Sequence, residues 1–284
     1  MRPGQRVLRA PQRARLALES EQRRGVPAPF IPLAAVCVLF LGLPIIGLLV
    51  RAPWRTLLPT LREADALRAM RLSLECATSA TVLALLIGVP TAWVLARARV
   101  PGISVLRAVV LLPLVLPPVA GGIALFAAFG RSGLLGQYLD RWFGITLPFS
   151  TVGVVIAETF VAMPFLIVTV EGALRGSDGG LEEAAATLGA SRWTIMRKVT
   201  LSRLAPSLIA GSVLCWARAL GEFGATIIFA GNNATHTRTA PILVSLGLDT
   251  SPQQAIALSL VLVLVSLVIL VGLRDRWLRQ GTAQ

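Results

Sequence analysis

The stretch Ala108-Val109-Val110-Leu111-Leu112-Pro113-Leu114-Val115-Leu116-Pro117-Pro118-Val119-Ala120-Gly121-Gly122-Ile123-Ala124-Leu125-Phe126-Ala127-Ala128-Phe129-Gly130 contains no charged side chain. About 20 consecutive apolar residues carry an α-helix across the hydrocarbon core of a bilayer, so this run reads as a membrane span. Runs 33–50, 76–96 and 250–273 are equally free of charge. Two further apolar runs are interrupted: 142–175 holds Glu158 and Glu171, and 204–232 holds Arg218 and Glu222. Charges inside a bundle are tolerated where they face protein or a wet cavity, so both count as spans. The expectation is an all-α integral membrane protein with six spans and both termini on one side.

Composition agrees. The chain is 55% hydrophobic and 14% charged, against roughly a quarter charged in soluble domains. With the N-terminus placed inside, segments 1–29, 97–107, 175–203 and 274–284 carry most of the Lys and Arg, as the positive-inside rule requires. The outer loop 51–71, with Arg51, Arg55, Arg62, Arg68 and Arg71, runs against that trend. The expected organisation is an Arg-rich cytoplasmic tail (1–29), a permease domain (30–273) and a short cytoplasmic tail (274–284).

The net charge of +13 does not point to nucleic acid. The arginines flank membrane segments, where anionic membrane lipid attracts them. Cys37, Cys76 and Cys215 have no metal-ligand spacing, and His236 is the one histidine of the chain. No catalytic residue, metal or cofactor is expected. The phosphate loop G-x-x-x-x-G-K-[ST] is absent, so any ATP hydrolysis belongs to another chain.

Pro113, Pro117 and Pro118 remove backbone donors, and Gly121 and Gly122 loosen the remaining helix. Irregular backbone inside a membrane is tolerated where it faces protein or a water-filled route, and broken helices of this kind line translocation pathways. A kinked structural helix is the alternative. In the fifth run, Ala217, Gly221 and Ala225 form a small-residue stripe on a continuous helix. Arg218 and Glu222, one turn apart, can pair on one face. Spacing alone leaves open whether that pair packs the bundle or touches cargo.

Segment 175–203 is the longest inner loop. Asp178 is a candidate helix cap, Glu182 and Glu183 suit a first helical turn, and Leu181, Ala185 and Leu188 share one face. Gly189 can end the helix and Ser191 can cap the next. Such an amphipathic helix fits a groove on a soluble partner or the membrane surface equally well.

Glu183-Ala184-Ala185, with Gly189 four positions after the second Ala, resembles the EAA loop of importer permeases in the ATP-binding-cassette superfamily. Val199, Thr200 and Leu201 continue the pattern; its final Pro is replaced by Ser202, with Pro206 shortly after, a departure that bears on the bend following the loop. Segments 112–129, 160–172 and 215–231, with Thr237-Arg238-Thr239, are similar to the molybdate-type permeases. The stretch Ala217-Arg218-Ala219-Leu220-Gly221-Glu222-Phe223-Gly224-Ala225-Thr226 carries most of this likeness, and sulfate and thiosulfate permeases are similar there too.

The resemblance covers about residues 70–273. It implies a six-helix bundle of the type I importer kind, a homodimer, two cytoplasmic ATPase subunits and an extracytoplasmic oxyanion-binding protein. Glu182, Glu183, Ala184, Ala185 and Gly189 would form the ATPase-coupling loop, and transport of molybdate or tungstate would proceed by alternating access. A secondary transporter, using intramembrane carboxylates such as Glu158 and Glu222, is the reading from another class.

Overall fold

The computed structural model describes residues 30–98, 100–177 and 179–281. Among these every regular element is helical. The tail expected over 1–29 and the candidate cap Asp178 lie outside the described residues.

Helix α1 (Phe30–Val50) belongs to a first unit by itself. It carries no charge, and none of its side chains is buried within the chain. The second unit begins at Ala52. In order it holds α2 (Leu57–Leu61), α3 (Ala64–Arg97), α4 (Ile103–Val115), α5 (Pro118–Phe129), α6 (Gly136–Phe143) and α7 (Thr151–Gly176). Then follow α8 (Gly180–Thr187), α9 (Arg192–Ile195), a π-turn at Met196–Thr200, α10 (Leu201–Leu220), α11 (Gly224–Phe229), α12 (Ala240–Thr250) and α13 (Pro252–Gly281).

Five continuous helical stretches are long and apolar enough to cross a membrane: Phe30–Val50, Ala64–Arg97, Thr151–Gly176, Arg192–Leu220 and Pro252–Ile269. The sixth expected span, 108–130, is divided. α4 ends at Val115, Pro117 takes an extended conformation (ψ 132°), and Pro118 opens α5 at the first helical position. Proline lacks the N–H and disfavours helix at the residue before it, so Pro117-Pro118 fixes the break.

The fifth span differs from its expected continuity. α10 stops at Leu220, and α11 begins only at Gly224. Ala217 and Ala225 therefore sit on separate helices, and the expected stripe is interrupted. Trp142 and its neighbours, read as the start of the fourth span, instead form α6; that span begins at Thr151, where the Ser150 hydroxyl caps the N–H of Gly153 at 3.0 Å. At the second span the helix extends back to Ala64, drawing Arg68 and Arg71 out of the expected loop.

Packing follows the small residues. On α3, Ala66, Ala69, Ser73, Ala77, Ala80, Ala84, Gly88 and Ala92 are buried along one side. Of these, Ala77, Ala80, Ala84 and Ala92 let α7 approach closely, contributing Ala162, Leu166, Ile167, Val170 and Leu174 to a shared core, while Ala66 and Ala69 pack with Leu243 of α12 and Leu258 of α13. A Cβ on Gly88 would stand 3.2 Å from Ile167, and one on Gly211 of α10 would stand 3.0 Å from Leu166. Lipid tails are as apolar as leucine, so in a membrane close packing through small residues replaces the hydrophobic drive. Hydroxyls in these helices turn inward on their own backbone: Thr81 donates to Ala77, Thr159 to Val155, Thr169 to Phe165 and Ser212 to Leu208. No water is needed to satisfy them.

Candidate functional site

Two places gather the residues singled out in the sequence. The first is the loop after α7. α8 ends in a Schellman turn: Gly189, at φ +83°, donates to the Ala186 carbonyl at 3.0 Å, and Ala190 donates to Ala185 at 3.0 Å. A left-handed residue is required there, and glycine adopts that conformation without a Cβ penalty. The Ser191 hydroxyl then accepts the N–H of Thr194 at 3.2 Å and starts α9. Both ends of the tight turn stand as the sequence predicts.

Glu182 roots α8 in the bundle. Its Oε1 accepts from Arg97 Nη2 at 3.0 Å, at the last turn of α3, and from Thr200 Oγ1 at 2.8 Å, where the π-turn enters α10. Glu183 and Ala184 are exposed, and Ala185 is half-buried. The side expected to be apolar is bare: Leu181 is 57% exposed and Leu188 89%, with Trp193 beyond them at 67%. An apolar side left uncovered on so short a helix marks a contact surface.

Behind this loop lies a second ionic tie. The buried carboxylate of Glu171 on α7 accepts from Arg107 Nε of α4 at 3.0 Å and is ion-paired with Arg175 at 3.0 Å. Both guanidinium groups also donate to the Leu95 carbonyl of α3, at 3.1 and 3.0 Å. The ends of α3, α4, α7 and α10 are thereby joined to α8 through three arginines and two glutamates. Sequence reasoning missed Arg97, Arg107 and Thr200. The Glu171–Arg175 spacing was a usable signal, but partners 64 to 85 positions away leave no local pattern.

The second place is the meeting of the two breaks. Arg218 Nη2 lies 2.7 Å from Glu222 Oε2, and Glu222 is buried. The other oxygen, Oε1, accepts the backbone N–H of Ala225 at 2.9 Å, which supplies the first turn of α11 with an anionic acceptor. α11 then lies against α5 with glycine at each close approach. A Cβ on Gly224 would fall 2.6 Å from Pro118 Cβ, and one on Gly122 would fall 2.7 Å from Ile228 Cβ. Gly121 is less constrained, facing the Phe160 ring at 3.3 Å.

The structure thus brings Pro118, Gly121, Gly122 and Glu222 into one junction. Pro113 stays inside α4, half-buried, and Pro117 is exposed at the break. Pro117, Pro118, Gly221 and Phe223 leave the open side of both breaks uncovered. Glu158, on α7, is buried, and its Oε2 has no hydrogen-bond partner among the described residues.

Comparison with known proteins accords with this architecture. The profile of the binding-protein-dependent transport system inner membrane component family matches residues 84–284. The molybdenum transport system permease protein ModB of Mycobacterium tuberculosis is 46% identical over 239 residues, 84% of this chain and 90% of the relative. A probable sulfate transport system permease protein, cysT of Marchantia polymorpha, is 38% identical over 195 residues, 68% of this chain and 67% of the relative. Among solved structures, a bacterial alginate ABC transporter in complex with an alginate pentasaccharide-bound periplasmic protein has a chain superimposing with a TM-score of 0.67. That likeness covers 85% of this chain and 91% of the other at 17% identity, so it speaks to the fold alone. A multi-pass bundle with helices broken at Pro117 and Gly221, and with a profile match from residue 84 to the last residue, belongs to the family of binding-protein-dependent transport system inner membrane components.

Proposed function

We propose that the chain is the permease subunit of an ATP-driven importer of molybdate or tungstate, working as one half of a homodimer. Helix α8 docks in a cleft of a cytoplasmic ATPase subunit, and an extracytoplasmic binding protein delivers the oxyanion to the opposite face. Both termini lie on the ATPase side. The observation that carries this reading is α8 itself: a capped helix between two spans, bare along Leu181 and Leu188 and rooted by Glu182. The molybdenum cargo rests on the ModB relative.

In this reading the chain performs no chemistry. ATP binding draws the two ATPase subunits together, and nucleotide does work by binding one state more tightly than the other. Displacement of α8 passes through Glu182 to Arg97 and Thr200, and so to α3 and α10. The Glu171 tie recruits α4 and α7. Motion reaches the two breaks, where Pro118, Gly121 and Gly122 lie at the junction that Glu222 and its partner Arg218 organise, with Pro113 and Pro117 on the α4 side of the first break. These residues line or hinge the pathway, since broken backbone inside a bilayer must face protein or water.

Sulfate is the second reading, favoured by the Marchantia relative. The test is reconstitution of the chain with an ATPase and a binding protein encoded beside it, in ATP-loaded vesicles. Uptake of labelled molybdate and tungstate, with sulfate excluded, is the expected result. Uptake of sulfate in preference would overturn the cargo, and ion-gradient-driven uptake by the chain alone would overturn the class.

A further inference from the structure

Helix α6 takes no part in the reading above, yet its two sides differ sharply. Leu135, Tyr138, Leu139 and Trp142 recur at three- and four-residue spacing and line an apolar groove with Phe129 and Phe143. Gln137, Asp140 and Arg141 fall on the opposite side of the same two turns. The apolar side is uncovered, with Trp142 69% and Phe143 67% exposed, and Leu134 just before the helix is 75% exposed. The Tyr138 and Trp142 rings touch, with centroids 5.3 Å apart.

The position of α6 along the chain fixes its depth. α7 has 26 residues, a rise of about 39 Å, and separates α6 from the coupling loop by roughly a bilayer's thickness. α6 therefore lies at the membrane–water boundary opposite α8. It is also held firmly to α5. Leu134 and Leu135 donate to the carbonyls of Ala127 and Ala128 at 3.1 and 2.8 Å. Gly136 leaves no space for a side chain against the carbonyl oxygens of Phe129 and Gly130.

We propose that α6 is an interfacial anchor, its Tyr138–Trp142–Phe143 side embedded in the headgroup–acyl boundary of the lipid leaflet opposite the coupling loop. Trp and Tyr are the side chains that concentrate at that depth, with the ring in the apolar layer and the polar tip in the wet one. Arg141, exposed on the other side, meets lipid phosphates, and Arg131 lies 3.6 Å from Asp140 as the rim. Lipid fits better than a protein partner. A helix about 12 Å long offers only a fraction of the roughly 800 Å² per side that a stable protein interface buries. Through Gly136 the anchor also sets the depth of α5, the distal half of the divided span. The inference rests on the membrane reading and is independent of cargo.

The test places a photo-crosslinker on each side of the helix in the full chain, assembled with its ATPase in vesicles of phosphatidylethanolamine and phosphatidylglycerol. Trp142→p-benzoylphenylalanine should yield phospholipid adducts on irradiation, read as a mass increase. Gln137→p-benzoylphenylalanine, on the polar side beside Arg141, should yield markedly fewer. Leu86, exposed on α3, serves as the lipid-facing control, and position 143 gives a second reading of the apolar side. A protein adduct at 142, to a second copy or to another chain, would overturn the proposal. So would equal lipid labelling at 137 and 142, or no lipid adduct at 142 and 143 while position 86 is labelled.

Discussion

Arg218 and Glu222 remain paired at 2.7 Å although the helix that carries Arg218 ends between them, at Leu220. The carboxylate therefore serves two neighbours, the guanidinium behind it and the Ala225 N–H ahead. Glu222→Ala leaves Arg218 without its partner and α11 without its acceptor. Breaking such a buried pair costs about 3–5 kcal/mol, so the melting temperature in detergent should fall by several degrees. Arg218→Met combined with Glu222→Gln leaves no unpaired charge and should cost less. If the double variant is the less stable of the two, the pair is not the organising contact.

The two glutamates of α8 should behave differently. Glu182 is bonded to Arg97 and Thr200, whereas Glu183 is exposed. Glu182→Ala should raise hydrogen exchange across residues 180–190, because hydrogen bonds to charged groups contribute about 1.5–3 kcal/mol each. Glu183→Ala should leave exchange unchanged and instead weaken association with the ATPase, read by co-purification. Equal exchange in both variants would remove the distinction.

Gly189→Val forces a β-branched side chain into φ +83°. The local strain is roughly 1–2 kcal/mol, too little to prevent membrane insertion. Uptake per ATP hydrolysed should fall sharply. A variant that transports normally would show that the turn is not part of the coupling.

Gly122→Val and Gly224→Val test the junction of the breaks. A Cβ at either position comes within 2.7 Å of a neighbour, and overpacking of this kind costs typically 1–3 kcal/mol. Gly121→Ala meets the edge of Phe160 at 3.3 Å and Leu116 at 3.7 Å, both side chains that can give, and should be nearly neutral. Thermal stability measured on the three variants should rank them in that order.

Much of the fold was legible because lipid punishes polarity so evenly. Uncharged runs at 33–50, 76–96 and 250–273 had one sensible reading, and the missing donors of Pro113, Pro117 and Pro118 marked their span as irregular without saying where it divides. The turn at Gly189 and the cap at Ser191 were equally local. What was not legible was long-range or compensated. The break at Gly221–Phe223 has no proline, and an alanine-rich sequence with an i,i+4 ion pair reads as unbroken helix. The capture of the Ala225 N–H by Glu222, which starts the helix after the break, has no signature in that local pattern. Arg97 and Arg107 looked like ordinary inside-facing cations, because their partners lie on helices distant in sequence. Helix α6 was hidden by its apolar residues, which merged with the span that follows.

The Pro117-Pro118 break has a further consequence. A helix start inside a bilayer normally strands four N–H groups, each costly without water. Here the cap position and the first helical position are both proline, so two of the four do not exist. The other interruption solves the same problem in the opposite way, by lending a carboxylate to the backbone. One discontinuity is permanent, written into the covalent chain. The other rests on a side chain, the Glu222 carboxylate that the backbone shares with Arg218.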